Sequence, residues 1–372
     1  MPPEIADAVS CQERFHQRWG HLRNSHVRDL AWLLDAPDLL DAQAPCWEGK
    51  IATLQIDLPK VQAWLDALEA EPTTLHAYLA ATPTTRLGRY AEKLLTFYFG
   101  WSGVLVAHGL QVREAANATI GEFDFLLKSQ IPGNGLLHLE LATKFYLFEA
   151  APNADAAEHF IGPNLADTLG AKMQKILHRQ LALAAHPAAQ AYLPQPVSCA
   201  QALIKGWLFY RAAPVSALLS SGVADNHCRG FWCSLSQFRQ EDFLCPPEAG
   251  FVYLPRLSWL APADVDSSDV LDRGAMTTFL EAHFAIDSTP VMIAMMQDET
   301  ASKLSKAATA QSMEQGAHEA MNVVAVNKES IRGAEKIGRR MRECARCFVV
   351  PNDWRERARE RNQRAVLKWE IA

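Results

Sequence analysis

Residues 121–146 read GEFDFLLKSQIPGNGLLHLELATKFY, and this stretch decides how the rest of the chain is organised. Two apolar-rich runs, residues 122–128 and 136–147, flank a segment of turn-forming residues at 132–135. Alternating apolar runs on both sides of such a segment are typical of a β-hairpin. We therefore predict two neighbouring strands here, with the adjoining helices and strands packed around them.

Charged side chains interrupt the apolar pattern of both predicted strands. Successive side chains of a strand point to opposite faces, so Glu122 and Asp124 share one face of the first strand. On the second strand, His138, Glu140 and Lys144 share a face in the same way. Acids and lysines are costly to bury unless they are paired or bound to a metal. The hairpin alone leaves two interpretations open, a sheet with a solvated polar face or a functional site.

Two helices flank the hairpin in the sequence. Apolar residues at helical spacing predict a helix over residues 86–99, with Glu92 at the edge of its apolar stripe. The turn-forming residues 162–164 predict the start of a second helix, with Asn164 as its N-cap. This helix is predicted to run to about residue 185. The first helix leads through a strand-like run into the hairpin, so it can place Glu92 near the acids of the strands.

Basic side chains accompany the second helix and the strand after it. Lys172 and Lys175 belong to a row that is either a solvated face or a binding surface for phosphates. Gln180 falls on the apolar side of the same helix, as a surface-edge residue or as a polar group that faces a site. Lys205 is the one charged interior residue of a strong strand pattern over residues 202–211.

Composition restricts the classes of protein to consider. The chain has 372 residues, is 49% hydrophobic and carries a net charge of −6, so affinity for nucleic acid must come from a local basic patch. No apolar run approaches membrane-spanning length. Eight scattered cysteines without a signal peptide predict reduced thiols and a cytoplasmic location. Length and pattern predict a helical N-terminal region (1–80), an α/β core (81–215) and a mixed α/β C-terminal region (216–372).

Several common motifs are absent from the sequence. It contains no GxxxxGK[ST] loop, no GxGxxG and no GxSxG, which argues against common nucleotide-binding and hydrolase classes. Cys344 and Cys347 have zinc-like spacing, but no second pair with matching spacing comes after them. What remains is the group of acids Glu92, Asp124 and Glu140. Such a group suits metal-dependent phosphodiester cleavage, because Mg²⁺ prefers carboxylate oxygens and stabilises the charge that develops on a phosphate.

The order helix–strand–strand–strand–helix, with an acid on the helix, Asp124 on one strand and Glu140 on the next, resembles the PD-(D/E)XK nuclease superfamily over about residues 86–211. More closely, the chain resembles the bacterial family called domain of unknown function 1853. The stretches that carry this closer resemblance are RDLAWLL (28–34), RLGRYAEKL (86–94), GEFDFLL (121–127), LHLELATKFYL (137–147), GPNLADTLGAKMQKILHRQL (162–181), KGWLFY (205–210) and RCFVVPNDW (346–354).

The resemblance implies roles for the polar residues of the core. It implies Asp124 and Glu140 as ligands of Mg²⁺ or Mn²⁺, Glu92 as an accessory acid, and Gln180 as a helical glutamine of the site. The lysine departs from the pattern, because one residue usually separates it from the acid, and Ala142 holds that position here. Lys144 starts about 13 Å beyond Glu140 on a regular strand.

Three explanations of the displaced lysine stay open. Lys144 can reach back toward Glu140, Lys172 or Lys205 can replace it, or catalysis has been lost. A local bulge in the strand is one way for Lys144 to reach back. The choice between an enzyme and a silent fold depends on which of these holds.

These observations together predict a fold and a function. The fold is α/β, with a PD-(D/E)XK nuclease-like core whose mixed central sheet is flanked by helices, and with helical N-terminal and mixed C-terminal additions. Strands over 104–114, 122–128 and 136–147 are expected in one sheet, with helices 86–99 and 165–185 packed against it.

The expected function is magnesium-dependent cleavage of DNA or RNA; the alternative is a catalytically silent nucleic-acid-binding or scaffold protein on the same fold. Glu92, Asp124 and Glu140 are expected to converge on one pocket and share a cation. Four further residues are expected to bind substrate: Lys172, Lys175, Gln180 and Lys205.

Overall fold

A single mixed sheet of ten strands forms the centre of the computed structural model. The structure describes residues 9–114, 118–129, 135–150, 156–211, 222–240, 249–298 and 339–361. Within these ranges the strands are β1 (Leu105–Arg113), β2 (Thr119–Lys128), β3 (Leu136–Phe148), β4 (Phe160–Ile161), β5 (Val197–Tyr210), β6 (Cys228–Ser234), β7 (Gly250–Tyr253), β8 (Asp264–Asp266), β9 (Val291–Asp298) and β10 (Arg340–Val350). The helices are α1 (Cys11–Trp19), α2 (Ser25–Asp35), α3 (Leu58–Ala70), α4 (Thr73–Ala81), α5 (Leu87–Trp101), α6 (Leu169–Lys175), α7 (Leu235–Phe238) and α8 (Arg273–Phe284).

The sheet has the strand order β1-β2-β3-β5-β6-β10-β9-β7, with β4 added to β3 and β8 added to β10. The strands β1, β2 and β3 are antiparallel neighbours, whereas β3, β5, β6 and β10 run parallel. The prediction that runs 104–114, 122–128 and 136–147 share one sheet is confirmed. Strands of the predicted core and of the predicted C-terminal region lie in this same sheet.

The N-terminal helices and α5 cover one face of the sheet. Apolar residues of α2 and α5 pack in one core with residues of β2, β3 and β5, among them Leu33, Leu94, Phe125, Leu139 and Trp207. The predicted helices of the first hundred residues are present in α2, α3, α4 and α5. A second core lies against β3 and β5 and contains residues of α6. Two cores form because side chains alternate between the faces of β3 and β5.

The helix after the hairpin differs from the prediction. Asn164 is not its N-cap, because residues 162–167 form a turn in which Leu165 has a φ of 60°. The helix α6 instead begins after Thr168, whose side chain accepts a hydrogen bond from the N–H of Ala171. It continues as a π-helical segment, Ile176–Gln180, and then as a 3₁₀ segment, Leu181–Ala185. The apolar stripe is right for Leu169, Met173 and Ile176 but wrong for Leu165, which lies in the turn and packs against the other core. The change in helical pitch was not predicted.

Near the C-terminus, β10 is longer than the predicted strand over 348–350. Its first half is rich in arginine, a residue that gives little strand signal in a sequence. These arginines meet acids of β8: Arg340 lies within an ion pair's distance of both Asp264 and Asp266. Residues 354–361 are helical, as predicted for the start of the final helix. The predicted turn at 132–134 and most of the helical pattern predicted over 298–319 lie outside the described residues.

Two cysteines are bonded rather than free. Cys11 of α1 and Cys228 of β6 form a disulfide across 217 residues of sequence. The expectation that all eight cysteines are reduced thiols is wrong for this pair, and the cytoplasmic location stays a prediction. In the described part of the chain, no helix is both long and apolar enough to cross a membrane.

Substitution of Gly206 is expected to disrupt the centre of the sheet. Gly206 of β5 has a φ of 153°, and a Cβ added there would collide with the carbonyl of Lys144 on β3. Backbone strain and the clash together should lower the free energy of unfolding of Gly206→Ala by about 3 kcal/mol or more, measured by urea denaturation. Gly88→Ala is the control, because Gly88 lies in α5 with open space around it, and it should gain about 0.5–1 kcal/mol. Equal stability of Gly206→Ala and the wild type would contradict the close approach of the two strands.

Candidate active site

The strands β2 and β3 separate halfway along their length. They pair only over Phe125–Lys128 and Leu136–Leu139. Before Phe125, β2 remains paired with β1, and after Leu139, β3 remains paired with β5. Among the described residues, no strand pairs with the β2 side of β3 from Glu140 to Tyr146. The separation opens a gap in the sheet that begins at Asp124 and Glu140.

Asp124 and Glu140 face each other where the strands separate. The N–H of Asp124 donates to Oε1 of Glu140 at 3.4 Å, and the N–H of Leu141 donates to Oδ2 of Asp124 at 3.0 Å. Each carboxylate therefore accepts from the backbone of the opposite strand, in place of the carbonyl that regular pairing would supply. The other oxygen of Asp124 has no donor among the described residues. The two acids are neighbours, as the sequence predicted.

Side chains from β3 and from the helical segment hold Glu140 in place. Nε2 of His138 lies 2.7 Å from Oε1 of Glu140, and the amide of Gln180 donates to the other oxygen. Nζ of Lys172 in turn donates to the amide oxygen of Gln180 at 3.1 Å. His138 and Glu140 are both buried, and Nδ1 of His138 has no partner in the described part of the chain. A hydrogen-bonded chain thus links Asp124 through Glu140 and Gln180 to Lys172.

Burial and, to a smaller extent, neighbouring acids raise the proton affinity of Asp124. Its pKa is raised to about 8, chiefly because the carboxyl is buried, and further by the charges of Glu140 and Glu92. The hydrogen bond from the Leu141 N–H opposes this change. The pKa of Glu92 is also raised, mainly by burial, while the nearby Arg89 opposes the change.

A cleft of about 420 Å³ lies beside Asp124, between α5 and the strands β1 and β2. Arg89 lines this cleft, and its Nη1 lies 2.8 Å from Oε2 of Glu92 and 2.7 Å from Oε1 of Glu122. The hydrogen bond from Arg89 lowers the pKa of Glu122, so this acid stays ionised. The cleft places Glu92 next to Asp124, as predicted. Glu122 and Arg89 were missed as site residues, because nothing in the sequence pairs a helix residue with a strand residue 33 positions away.

Three of the four predicted lysines, Lys144, Lys172 and Lys175, lie near one another, and Lys205 lies elsewhere. Lys172 reaches the acids through Gln180. Nζ of Lys144 lies 3.7 Å from Asp167. The described groups that contact Glu140 are His138, Gln180 and the N–H of Asp124, and Lys144 is not among them. Lys205 is not near the acids: its buried amine donates to the carbonyl of Ala36 and lies 2.8 Å from Asp38. The prediction of Lys205 as a substrate-binding residue is therefore corrected, since alternation in β5 directs it to the face covered by the N-terminal helices.

The three acids do not form one three-ligand cation site. Among the described residues, no group of three or more His, Cys, Asp or Glu side chains is arranged to hold a metal ion. Arg89 holds Glu92 against Glu122, which explains why Glu92 does not join the other two acids. The pair of Asp124 and Glu140 nevertheless suits Mg²⁺, which uses one or two carboxylates and keeps several waters. The same crowding that retains a proton on Asp124 favours a divalent cation in its place.

Comparison with known proteins gives one match. A family model described as "Domain of unknown function (DUF1853)" matches residues 28–350. No curated protein and no solved structure matches the chain. The family match covers β2, β3, α6 and the segment Ile176–Gln180, and therefore includes every residue of the hydrogen-bonded chain around Glu140.

The raised pKa of Asp124 predicts an unusual dependence of stability on pH. The unfolded aspartate loses its proton near pH 4, whereas the folded one keeps it to about pH 8, so the free energy of unfolding falls as pH rises through this range. Asp124→Asn removes this loss. In metal-free buffer the variant should melt several degrees above the wild type at pH 8, and the difference should shrink toward pH 5.

Asp287→Asn is the control with the opposite sign. The pKa of Asp287 is lowered by hydrogen bonds from the side chain and backbone of Thr289, so its contribution is present at pH 8 and lost in acid. This variant should melt no higher than the wild type at pH 8. An Asp124→Asn variant that melts lower than the wild type at pH 8 would contradict the crowding of the acids.

Proposed function

The chain belongs to the DUF1853 family, and we propose that it is a magnesium-dependent phosphodiester hydrolase that acts on DNA or RNA with a PD-(D/E)XK nuclease-like core. The observation that supports this proposal most strongly is the facing pair of Asp124 and Glu140 at the gap between β2 and β3. A carboxyl with a pKa of about 8 beside a second carboxylate is typical of functional sites.

Asp124 and Glu140 are the residues that would hold Mg²⁺. The ion would supply Lewis acidity and lower the pKa of a bound water. Glu140 has a fixed orientation, because His138 and Gln180 contact its two oxygens. Asp124 keeps one oxygen without a described donor, and this oxygen can accept a cation with the least reorganisation. Glu92, part of the cleft wall, adds negative charge that raises the pKa of Asp124 and favours a cation there.

Lys172 is the cation that we assign to the charge developing on the phosphate. Its amine is half-buried and is linked through Gln180 to Glu140. An ammonium carries three donors, and the described acceptor uses one of them. Burial lowers the pKa of Lys172, and Lys144 and Lys175 lower it further, whereas Glu140 and Asp124 favour the charged form. This lysine on the helix thus replaces the one missing at position 142 on the strand.

A catalytically silent nucleic-acid-binding protein is the second candidate. The observation that favours it is the position of Lys144, whose amine lies 3.7 Å from Asp167. If Lys172 did not act in place of Lys144, the site would lack a lysine to stabilise the charge that develops on the phosphate. The two candidates therefore differ in what removal of Lys172 should do.

The enzyme proposal predicts a large loss of turnover in Lys172→Met. The substitution keeps the packing of the side-chain stem and removes a charge used mainly in the transition state. With single-stranded and duplex substrates and Mg²⁺, kcat should fall by about a hundredfold or more. Lys60→Met is the control, because Lys60 of α3 lies over the ring of Trp101 and takes no part in the described site. Unchanged kcat in Lys172→Met would contradict the role of Lys172, whereas no hydrolysis by the wild type would favour the silent protein.

A further inference from the structure

A group of basic side chains lies beside β3 on the face that α6 covers. Lys144 shares its face of β3 with Ala142 and Tyr146, and these two residues pack in one core with Leu169 and Met173 of α6. The helix therefore lies over the face from which Lys144 projects. Lys172 and Lys175 are one turn apart on this helix, on its edge next to the core. We call Lys144, Lys172 and Lys175 the lysine cluster.

The hydrogen-bonding capacity of the lysine cluster exceeds its described acceptors. Lys144 is half-buried, with Asp167 at 3.7 Å as its nearby carboxylate. Asp167 also accepts a hydrogen bond from the hydroxyl of Tyr146 at 3.0 Å, so it is shared between two partners. Lys172 donates to the neutral amide of Gln180, which adds no negative charge. Two partly buried ammonium groups thus have donors that the described acceptors do not use, and the acids that act on them are Asp167, Glu140 and Asp124.

The charges around the cluster reinforce one another. The pKa of Lys144 is lowered by burial and, in spite of Asp167, by the charges of Lys175 and Arg256. Arg256 approaches from the short 3₁₀ segment Arg256–Ser258. A local excess of positive charge in a chain of net charge −6 is the kind of patch that an anion relieves. A phosphate oxygen can accept from several ammonium groups at once.

We propose that the lysine cluster, with Arg256 at its rim, binds a phosphate group next to the Asp124–Glu140 pair. Lys172 belongs to the lysine cluster and is also linked to the acid pair, because Gln180 joins it to Glu140. That this phosphate belongs to the cleaved substrate rests on the proposed function, whereas phosphate binding itself requires neither Mg²⁺ nor catalysis. The substrate is then a nucleic acid strand held by one phosphate while a neighbouring bond meets the carboxylates.

Titration calorimetry with inorganic phosphate tests the site without metal. The protein is kept in EDTA at constant ionic strength, and wild-type protein should bind phosphate. Lys144→Met/Lys175→Met should weaken binding at least about tenfold, because two charged donors are lost. The control Lys60→Met/Arg239→Met removes the same charge at exposed positions elsewhere and should bind like the wild type. Lys175→Met alone keeps the test valid if the double variant does not fold, since Lys175 is exposed, and it should bind several-fold more weakly.

Competition identifies the source of the phosphate. A 5′-phosphorylated dinucleotide that displaces inorganic phosphate better than its 5′-hydroxyl counterpart supports a site for a terminal phosphate. Equal competition by the two supports a site for an internal phosphate. The proposal is overturned if the wild type binds no phosphate, or if the double variant and its control bind equally. Phosphate binding without any hydrolysis would reject the proposed function and leave the phosphate site standing.

Discussion

The candidate site depends on two crossed hydrogen bonds, from the N–H of Asp124 to Glu140 and from the N–H of Leu141 to Asp124. A carboxylate on each strand accepts from the backbone of the other at the point where β2 and β3 stop pairing. Regular pairing beyond this point would close the gap and bury both acids without room for a ligand. The separation is possible because β2 keeps β1 as a partner and β3 keeps β5. The sheet therefore stays continuous although β2 and β3 separate over part of their length.

The C-terminal part of the chain contacts the turn that precedes α6. The indole of Trp354 donates to the carbonyl of Pro163 at 2.7 Å, and Nε of Arg361 donates to the carbonyl of Leu165 at 2.8 Å. These bonds hold the turn 162–167, which carries Asp167 toward Lys144. The helical segment after β10 is thus attached to the turn that leads into α6. This contact gives the C-terminal region a structural role in placing the lysine cluster.

Local periodicity was sufficient to predict the hairpin and its pair of acids, but not the contacts between elements. Alternation placed β2 and β3 and gave the face of each acid, whereas the expectation that Asp124 and Glu140 lie together came from the order of the elements and the resemblance to the PD-(D/E)XK superfamily. It did not predict that Arg89 holds Glu92 against Glu122, since that contact depends on the angle at which α5 crosses the sheet.

Lys205 was assigned to the site wrongly, because a buried lysine on a strand has the same local pattern whichever face it points to. Contacts between distant parts of the chain could not be predicted from local patterns either. The acids of β8 pair with arginines of β10 that lie much later in the chain. The disulfide joins two segments that no spacing rule connects. The change of helical pitch after α6 brings Gln180 to Glu140, and a plain apolar stripe does not reveal it.

The central claim is that the gap between β2 and β3 holds a divalent cation on two carboxylates. Crystals soaked in Mn²⁺ at about pH 8.5, above the raised pKa of Asp124, with diffraction measured at the manganese absorption edge, test it directly. The account predicts one strong anomalous peak within coordination distance of Asp124 and Glu140, and no peak at this position in Asp124→Asn. A wild-type map with no peak there, or with manganese bound only at other acids, would contradict it.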